Sequence, residues 1–580
     1  MIRPRRRVPR GDPPVPPPPI EDDRSPPRRR RRQRDIDDVD DPIDGSSSSP
    51  WWRRILHFDP LRPGSTSWRD RRMSSSSSAS ARVVRHYGAD VRFAPGRFHY
   101  SADELEPHRR VGDPEVDGLL EYLASSAGGG GEEGGGGGCG AFDDVVGRAR
   151  DDHARWTTTT TTTGATPSCA FYGHYHEGVP TWVEYDAIQR GIDVFLAYLP
   201  AAGCALFYRS LIARVLVATG YLVPRARCGG GESLVDDDDD VPRSGCARTV
   251  DDRDRRRSEE RLVDTGGFLA CCFAPHPSPP HDSRTTPTSP PVTAASLRPG
   301  GRGWEAALRV RVLHAKVRRS LLRRRGGENA WDVEAYGVPI NQEDTAATLL
   351  AFSVNVLLGI EIAAGRPLRA SEQRDYLALW RYIGWLLGVD TPEGAGRSSN
   401  PGGEGGRLIP IDPCGPRKVR PREAADDDND DDDDDDDRYD GGSSERYPTD
   451  AEDDVDPDDD PIVHSYATLE SVILHLLHPD RSSRELVKHM LGLGRSVVFR
   501  SEVCRKFLGD PLSDELGMPK SRWESLSDLA SHARLKFLLY VFLVFLRCYT
   551  LLTMTCPWFR RRAIVWHGML EWRGQHQNRR

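Results

Sequence analysis

No CxxC pair occurs among the eleven cysteines of this 580-residue chain, and their number is odd. Neither a zinc site built on paired thiolates nor a disulfide framework is indicated, and the scattered single cysteines fit reducing surroundings. The N-terminus lacks the apolar stretch that a secretory signal needs, and its acidic residues argue against a transit peptide, so an intracellular chain is expected. No long stretch alternates apolar and polar residues with period two, which removes the main sign of half-buried strands. A dominant charge is missing as well, because the net charge of -8 is the remainder of 80 basic and 88 acidic residues gathered in separate blocks. The arginine clusters Arg5–Arg7 and Arg28–Arg32 are followed at once by acids and accompany no base-reading element, so nucleic acid is not read as a partner.

Much of the length is compositionally unfit to bury a core. Residues 1–80 are rich in Pro, Arg and Ser with no apolar periodicity, cannot offset their own ordering entropy, and read as a disordered arm. The tracts Gly128–Gly138, Thr157–Thr163, Asp236–Asp240, Pro275–Thr293 and Asp426–Asp437 read the same way. The chain thus divides into the N-terminal arm, a folded domain over 81–395 with low-complexity inserts near 126–168, 225–258 and 273–296, an acidic linker over 396–460, and C-terminal helices over 461–580.

What remains has helical periodicity. Ile188, Ile192, Phe195, Leu196 and Leu199 recur at helical spacing before Pro200, and the pattern resumes from Ala205 to Leu216. Glu305–Arg323 predicts another helix, with Ala307, Val310, His314, Val317 and Leu321 on one stripe and arginines on much of the other side. Asn341 followed by Asp344 makes a capping-box-like start for a run apolar nearly all round, TAATLLAFSVNVLLGIEIAAG, which predicts a central buried helix. Glu372–Leu387 adds a helix with Tyr376, Leu379, Trp380 and Ile383 on one side. The expected fold class is all-α. Near the C-terminus, Phe537–Cys556 is almost wholly apolar and long enough to cross a bilayer, although Arg547 near its centre carries a cost of a few kcal/mol there. This segment makes a membrane an expected partner.

His314 falls on the apolar stripe of its helix, where an inward imidazole can ligate a metal or haem iron, or can simply be a satisfied core residue. Arg311 stands one turn away and suits an anionic group. Arg261, Asp264 and Thr265 sit at i, i+3 and i+4, on one helical face that is either functional or merely solvated. The residues alone leave both readings open.

Six strings, GDPEVDGLLEYLA (112–124), SLIARVLVATGYL (210–222), RLVDTGGF (261–268), RVRVLHAKVRR (309–319), WDVEAYGVPINQEDTAATLLAF (331–352) and YLALWRYIGWLLGV (376–389), resemble the catalytic domain of MpaB and the rubber-cleaving latex-clearing proteins, in the same order. FLGDPLSDELGMP (507–519) is similar to that family's C-terminal part. The resemblance implies a globin-like helical core with a haem pocket holding haem b, His314 as axial iron ligand with Arg311 beside it, and a distal polar side matched by Arg261 and Thr265. Asp264 stands where rubber-cleaving members carry lysine, which points away from rubber itself; kept protonated by burial, it would donate to bound dioxygen, or the acid would act as a base toward an allylic proton. Thr348 matches a further family threonine near the haem. The implied activity is dioxygen-dependent oxidation or cleavage of a C=C bond in an isoprenoid-like or other lipophilic substrate, at an internal membrane such as the endoplasmic reticulum. A haem protein of this fold that cleaves nothing, or a membrane scaffold, is the alternative.

Overall fold

Prolines open several of the helices. Pro114, Pro167, Pro461 and Pro557 stand at the first helical position, where the missing N–H is no loss and the fixed φ is already helical. The computed structural model describes residues 82–86, 89–94, 98–127, 144–158, 166–211, 263–273, 293–323, 331–389, 411–416, 460–476, 481–492, 496–520 and 526–577, all within one compact unit, Ile55–Arg580. The N-terminal arm, the glycine tract, both aspartate runs, Arg261 and most of the threonine and Pro/Ser/Thr tracts lie outside the described residues.

The class is all-α, with one antiparallel hairpin at its start, β1 (Arg82–His86) and β2 (Ala89–Phe93), in which Val84 pairs with Val91. The helices follow as α1 (Pro114–Ala127), α2 (Val145–Thr158), α3 (Pro167–Glu177), α4 (Tyr185–Ala197), α5 (Leu199–Ala205), α6 (Val263–Phe273), α7 (Arg302–Leu322), α8 (Gln342–Phe352), α9 (Val354–Ala364) and α10 (Ala370–Leu386). The C-terminal part adds α11 (Pro461–Leu476), α12 (Arg481–Gly492), α13 (Val497–Leu508), α14 (Asp510–Glu515), α15 (Leu526–Thr555) and α16 (Pro557–Gln577). Helix α2 lies inside the stretch read from composition as an insert, and it buries Val145, Val146 and Ala149 on one face.

The core gathers where α4 and α10 pack side by side. Trp380 of α10 lies between Phe352 and Phe273, with ring centroids 5.1 and 6.1 Å away, and Phe273 meets Phe195 at 4.7 Å. Each such ring removed from water stabilises the fold by about 1.5–3 kcal/mol, and ring pairs add to that. The central apolar run is capped as its sequence predicts, Asn341 Oδ1 accepting from the Asp344 N–H at 2.8 Å, and it is deeply buried. It is two helices, however, because the backbone turns at Ser353, whose hydroxyl donates to the Leu349 carbonyl at 2.8 Å.

Helix α7 departs from its predicted orientation. The buried face carries Trp304, Ala307, Leu308, Arg311, Val312, Ala315, Arg318 and Leu321, whereas Val317 is 37 % and Leu313 54 % exposed. His314 is half-buried on the flank of that face. The rotation has a cause: two arginines take inner positions because Asp113, just ahead of α1, and Asp117 within it neutralise them there, and charge no longer marks the outside.

The C-terminal helices share the same core, through Ile462, Tyr466 and Leu469 of α11, Val503 and Phe507 of α13, and Leu539 and Leu546 of α15. Among the described residues two stretches are long and apolar enough to cross a membrane, Gln342–Ala364 and Ala530–Thr555; about three quarters of the first is buried inside the fold, but only a third of the second. Arg547 explains its place in that second stretch. It is buried, and its guanidinium lies against Gly365, the left-handed residue that ends α9, so the cation meets the negative end of a helix.

Candidate functional site around His314

Four of the family-like strings, far apart in sequence, converge on one spot. A small cavity of about 10 Å³ is lined by Gly112 and Asp113 from the start of α1, His314 and Arg318 from α7, Ile340, Gln342 and Thr345 from the start of α8, and Leu387 and Gly388 from the end of α10. A space of this size admits one water at most. Gln342 ties the walls together, its side-chain amide donating to the carbonyls of Gly112 and Gly388, both at 2.9 Å.

Beside the cavity lies a buried ion network. Arg311 donates to Asp113 through Nε at 2.6 Å and Nη2 at 2.8 Å, to Glu115 at 3.0 Å, and to the Tyr175 hydroxyl, which in turn donates to Glu115 at 2.7 Å. Burial alone would raise the Asp113 carboxyl, yet the Arg311 charge and hydrogen bonds, with Arg318 behind them, hold it below its ordinary value. Burial pushes the Tyr175 phenol far up, so it stays a neutral donor. Arg318 repeats the pattern two turns on, with Asp117 at 3.0 Å and the Ile340 carbonyl at 3.0 Å. Burial raises Asp117 in spite of that partner.

Two backbone features shape this junction. Gly388 has φ +83°, and a Cβ there would lie 2.5 Å from Arg311 Nε and 2.7 Å from Asp113 Oδ2, so only glycine lets the chain turn over the ion pair. Ile340 has φ +53°, a strained conformation for a β-branched residue, of the kind that concentrates at functional sites. It stands just ahead of the Asn341 cap and offers its carbonyl to Arg318.

The residues singled out in the sequence are distributed unevenly about this centre. His314 lines the cavity, and Arg311 stands behind it with its donors engaged by carboxylates. Thr348 is half-buried and its hydroxyl donates to the Asp344 carbonyl at 2.8 Å, one turn back in its own helix. Asp264 and Thr265 are exposed on the first turn of α6, whose far end is anchored to Ser296 and to Gly303 at the start of α7 through Cys271 and Cys272. The burial expected of Asp264 is therefore absent. Arg261 is outside the described residues. Asp113, Glu115 and Tyr175 were not singled out from the sequence, although the acids at 113, 115 and 117 stand in the first family-like string and signalled a charged inner edge.

Residues 249–399 match the family described as "ER-bound oxygenase mpaB/B'/Rubber oxygenase, catalytic domain". This segment is similar to that catalytic domain. The MpaB and rubber-oxygenase match takes in α6 to α10, and therefore His314, Arg311, Asp264, Thr265 and Thr348. Comparison with curated proteins and with solved structures finds no match.

Proposed function

We propose that the chain is a haem-dependent oxygenase that oxidises or cleaves a C=C bond of an isoprenoid-like or other lipophilic substrate beside a membrane. The observation that carries this reading is that the family-matched segment holds His314 on a helix flank between the inner arginines Arg311 and Arg318 and an outer strip of aliphatic residues. Val310 is half-buried, and Leu313 and Val317 are exposed among the described residues. An imidazole with aliphatic side chains on its outer side is a ligand suited to haem b. The water-sized cavity on the inner side of His314 is not where a porphyrin would fit; the outer strip of α7 is the surface with the right chemistry.

His314 would ligate the iron, and Val310, Leu313 and Val317 would supply apolar contact. The bound haem would supply the dioxygen chemistry that side chains cannot. Arg311 is a positioning residue in this reading, since its fork is filled by Asp113 and Glu115 and leaves it holding α7 in place. Arg261, Asp264 and Thr265 would form the polar side near oxygen and substrate. Thr348 would serve its own helix and the packing beside it.

The membrane belongs to the proposal because α15 and α16 turn an apolar face outward, with Phe537, Leu538, Phe545, Trp558 and Trp566 between 57 % and 66 % exposed. A shallow groove of about 500 Å³ lined by Phe499, Leu538, Val541, Phe542 and Phe545 runs along it. Such a face gains free energy from lipid contact and gives a partitioned substrate a short route to the protein. The family's printed description as ER-bound supports the same placement. The test is the visible absorption of the haemin-reconstituted protein beside His314→Ala: an intense Soret band lost or shifted in the variant is expected, and a folded wild type without a band would overturn the reading.

A further inference from the structure

We propose that His153, His176 and Glu177 form a binding site for a divalent zinc-class metal ion between α2 and α3. One ligand atom from each residue lies within 4.8 Å of the other two. His153 Nε2 and Glu177 Oε1 are 3.2 Å apart, close to the spacing of about 3.3 Å that two ligands of a tetrahedral ion adopt at zinc bond lengths. The His176 ligand atom lies within 4.8 Å of the other two and would have to close toward them.

The rest of the environment suits a metal as well. His153 is buried and its ring is fixed on several sides, by Tyr172, Trp156 and His176 at centroid distances of 5.5, 6.4 and 5.7 Å. On the far side of the ring the Cys169 sulfur lies 3.7 Å from Nδ1. With Nε2 on a metal, Nδ1 carries the ring hydrogen and donates it to that sulfur, the outer contact that holds a ligating imidazole in one tautomer. Burial pushes the Cys169 thiol up, which favours its remaining a neutral neighbour. Glu177 is exposed, so an ion can enter from solvent and keep a water as its fourth ligand.

Two imidazoles and one carboxylate select zinc or a similar borderline ion over magnesium or calcium, which prefer oxygen. The metal would clamp the last turn of α3 to the middle of α2. Trp304 sets its edge against Tyr172 and His176, at 5.2 and 6.1 Å, so the clamp would also seat the first turn of α7, the helix that carries His314. This site is independent of the haem reading, because none of its residues belongs to the family-matched segment.

The experiment is titration of the full-length, tag-free, chelator-treated protein with Co²⁺, followed by visible ligand-field bands and displacement by Zn²⁺. Wild type is expected to bind one equivalent with four-coordinate bands. Glu177→Gln and His176→Gln, which change accessible side chains and should keep the wild-type circular dichroism, are expected to weaken binding by at least about tenfold. His314→Ala is expected to bind Co²⁺ like wild type, which separates this site from the haem ligand. The proposal is overturned if folded wild type takes up no stoichiometric Co²⁺, if neither variant weakens binding, or if a thiolate-to-cobalt band abolished by Cys169→Ser shows that sulfur holds the ion.

Discussion

Arg311 grips Asp113 with two parallel hydrogen bonds, at 2.6 and 2.8 Å, across 198 positions of sequence and almost wholly out of contact with water. The pair joins helix α7 to the start of α1, and its Asp113 lines the cavity that His314 also lines. Removing one member leaves a buried charge unmatched. Asp113→Asn and Arg311→Leu should each destabilise the fold by about 3–5 kcal/mol, while Arg311→Met with Asp113→Leu should recover much of that loss. Urea unfolding of the four proteins checks this; single variants as stable as wild type would mean that the pair carries no such burden.

The same pair sets an acid limit. The folded-state pKa of Asp113 is depressed, so the stability it contributes is complete above its unfolded value, about 3.9, and is lost as pH falls below that through the folded value. Stability measured between pH 6 and about 2 should fall less steeply in Asp113→Asn than in wild type. Parallel curves would assign the acid loss to other carboxylates.

Gly388→Ala tests the close approach of the backbone to this pair. The φ of +83° and the nearness of Arg311 and Asp113 both oppose a methyl group, so a loss of more than about 1 kcal/mol is expected, seen as a lowered Tm. An unchanged Tm would show that the turn has room to spare.

Asp264 and Thr265 are exposed, and surface substitutions of this kind shift stability by about 0.5 kcal/mol or less. Asp264→Ala and Thr265→Ala should therefore unfold like wild type, yet lower oxygen consumption with an isoprenoid substrate if they form the polar side proposed above. Unaltered turnover in both would remove them from the site.

The outward face of α15 and α16 makes its own claim. Phe545→Ser combined with Trp558→Ser should reduce co-flotation with phosphatidylcholine vesicles severalfold and leave the helix content unchanged, since both side chains are mostly exposed. Equal flotation would place the lipid contact elsewhere.

Periodicity carried the helices because each follows from short-range pattern. Asn341 and Asp344 announced the cap of α8, and Tyr376, Leu379, Trp380 and Ile383 announced the buried face of α10. Periodicity failed on α7, where the rule that charge faces outward turned the helix the wrong way: Arg311 and Arg318 are inside and Leu313 is outside. It also passed over α2, whose few apolar residues are separated by charged ones.

The sequence by itself determined the helical class, the capped apolar centre and the family-like strings around His314, since these rest on neighbours a few residues apart. Only the tertiary structure decided which side of α7 is buried, why Arg547 tolerates its apolar run, and that His153 meets His176 and Glu177. Each of those depends on a partner from another helix, whether a carboxylate, a helix end or an imidazole. Charge burial is permitted by such partners and not by the local pattern.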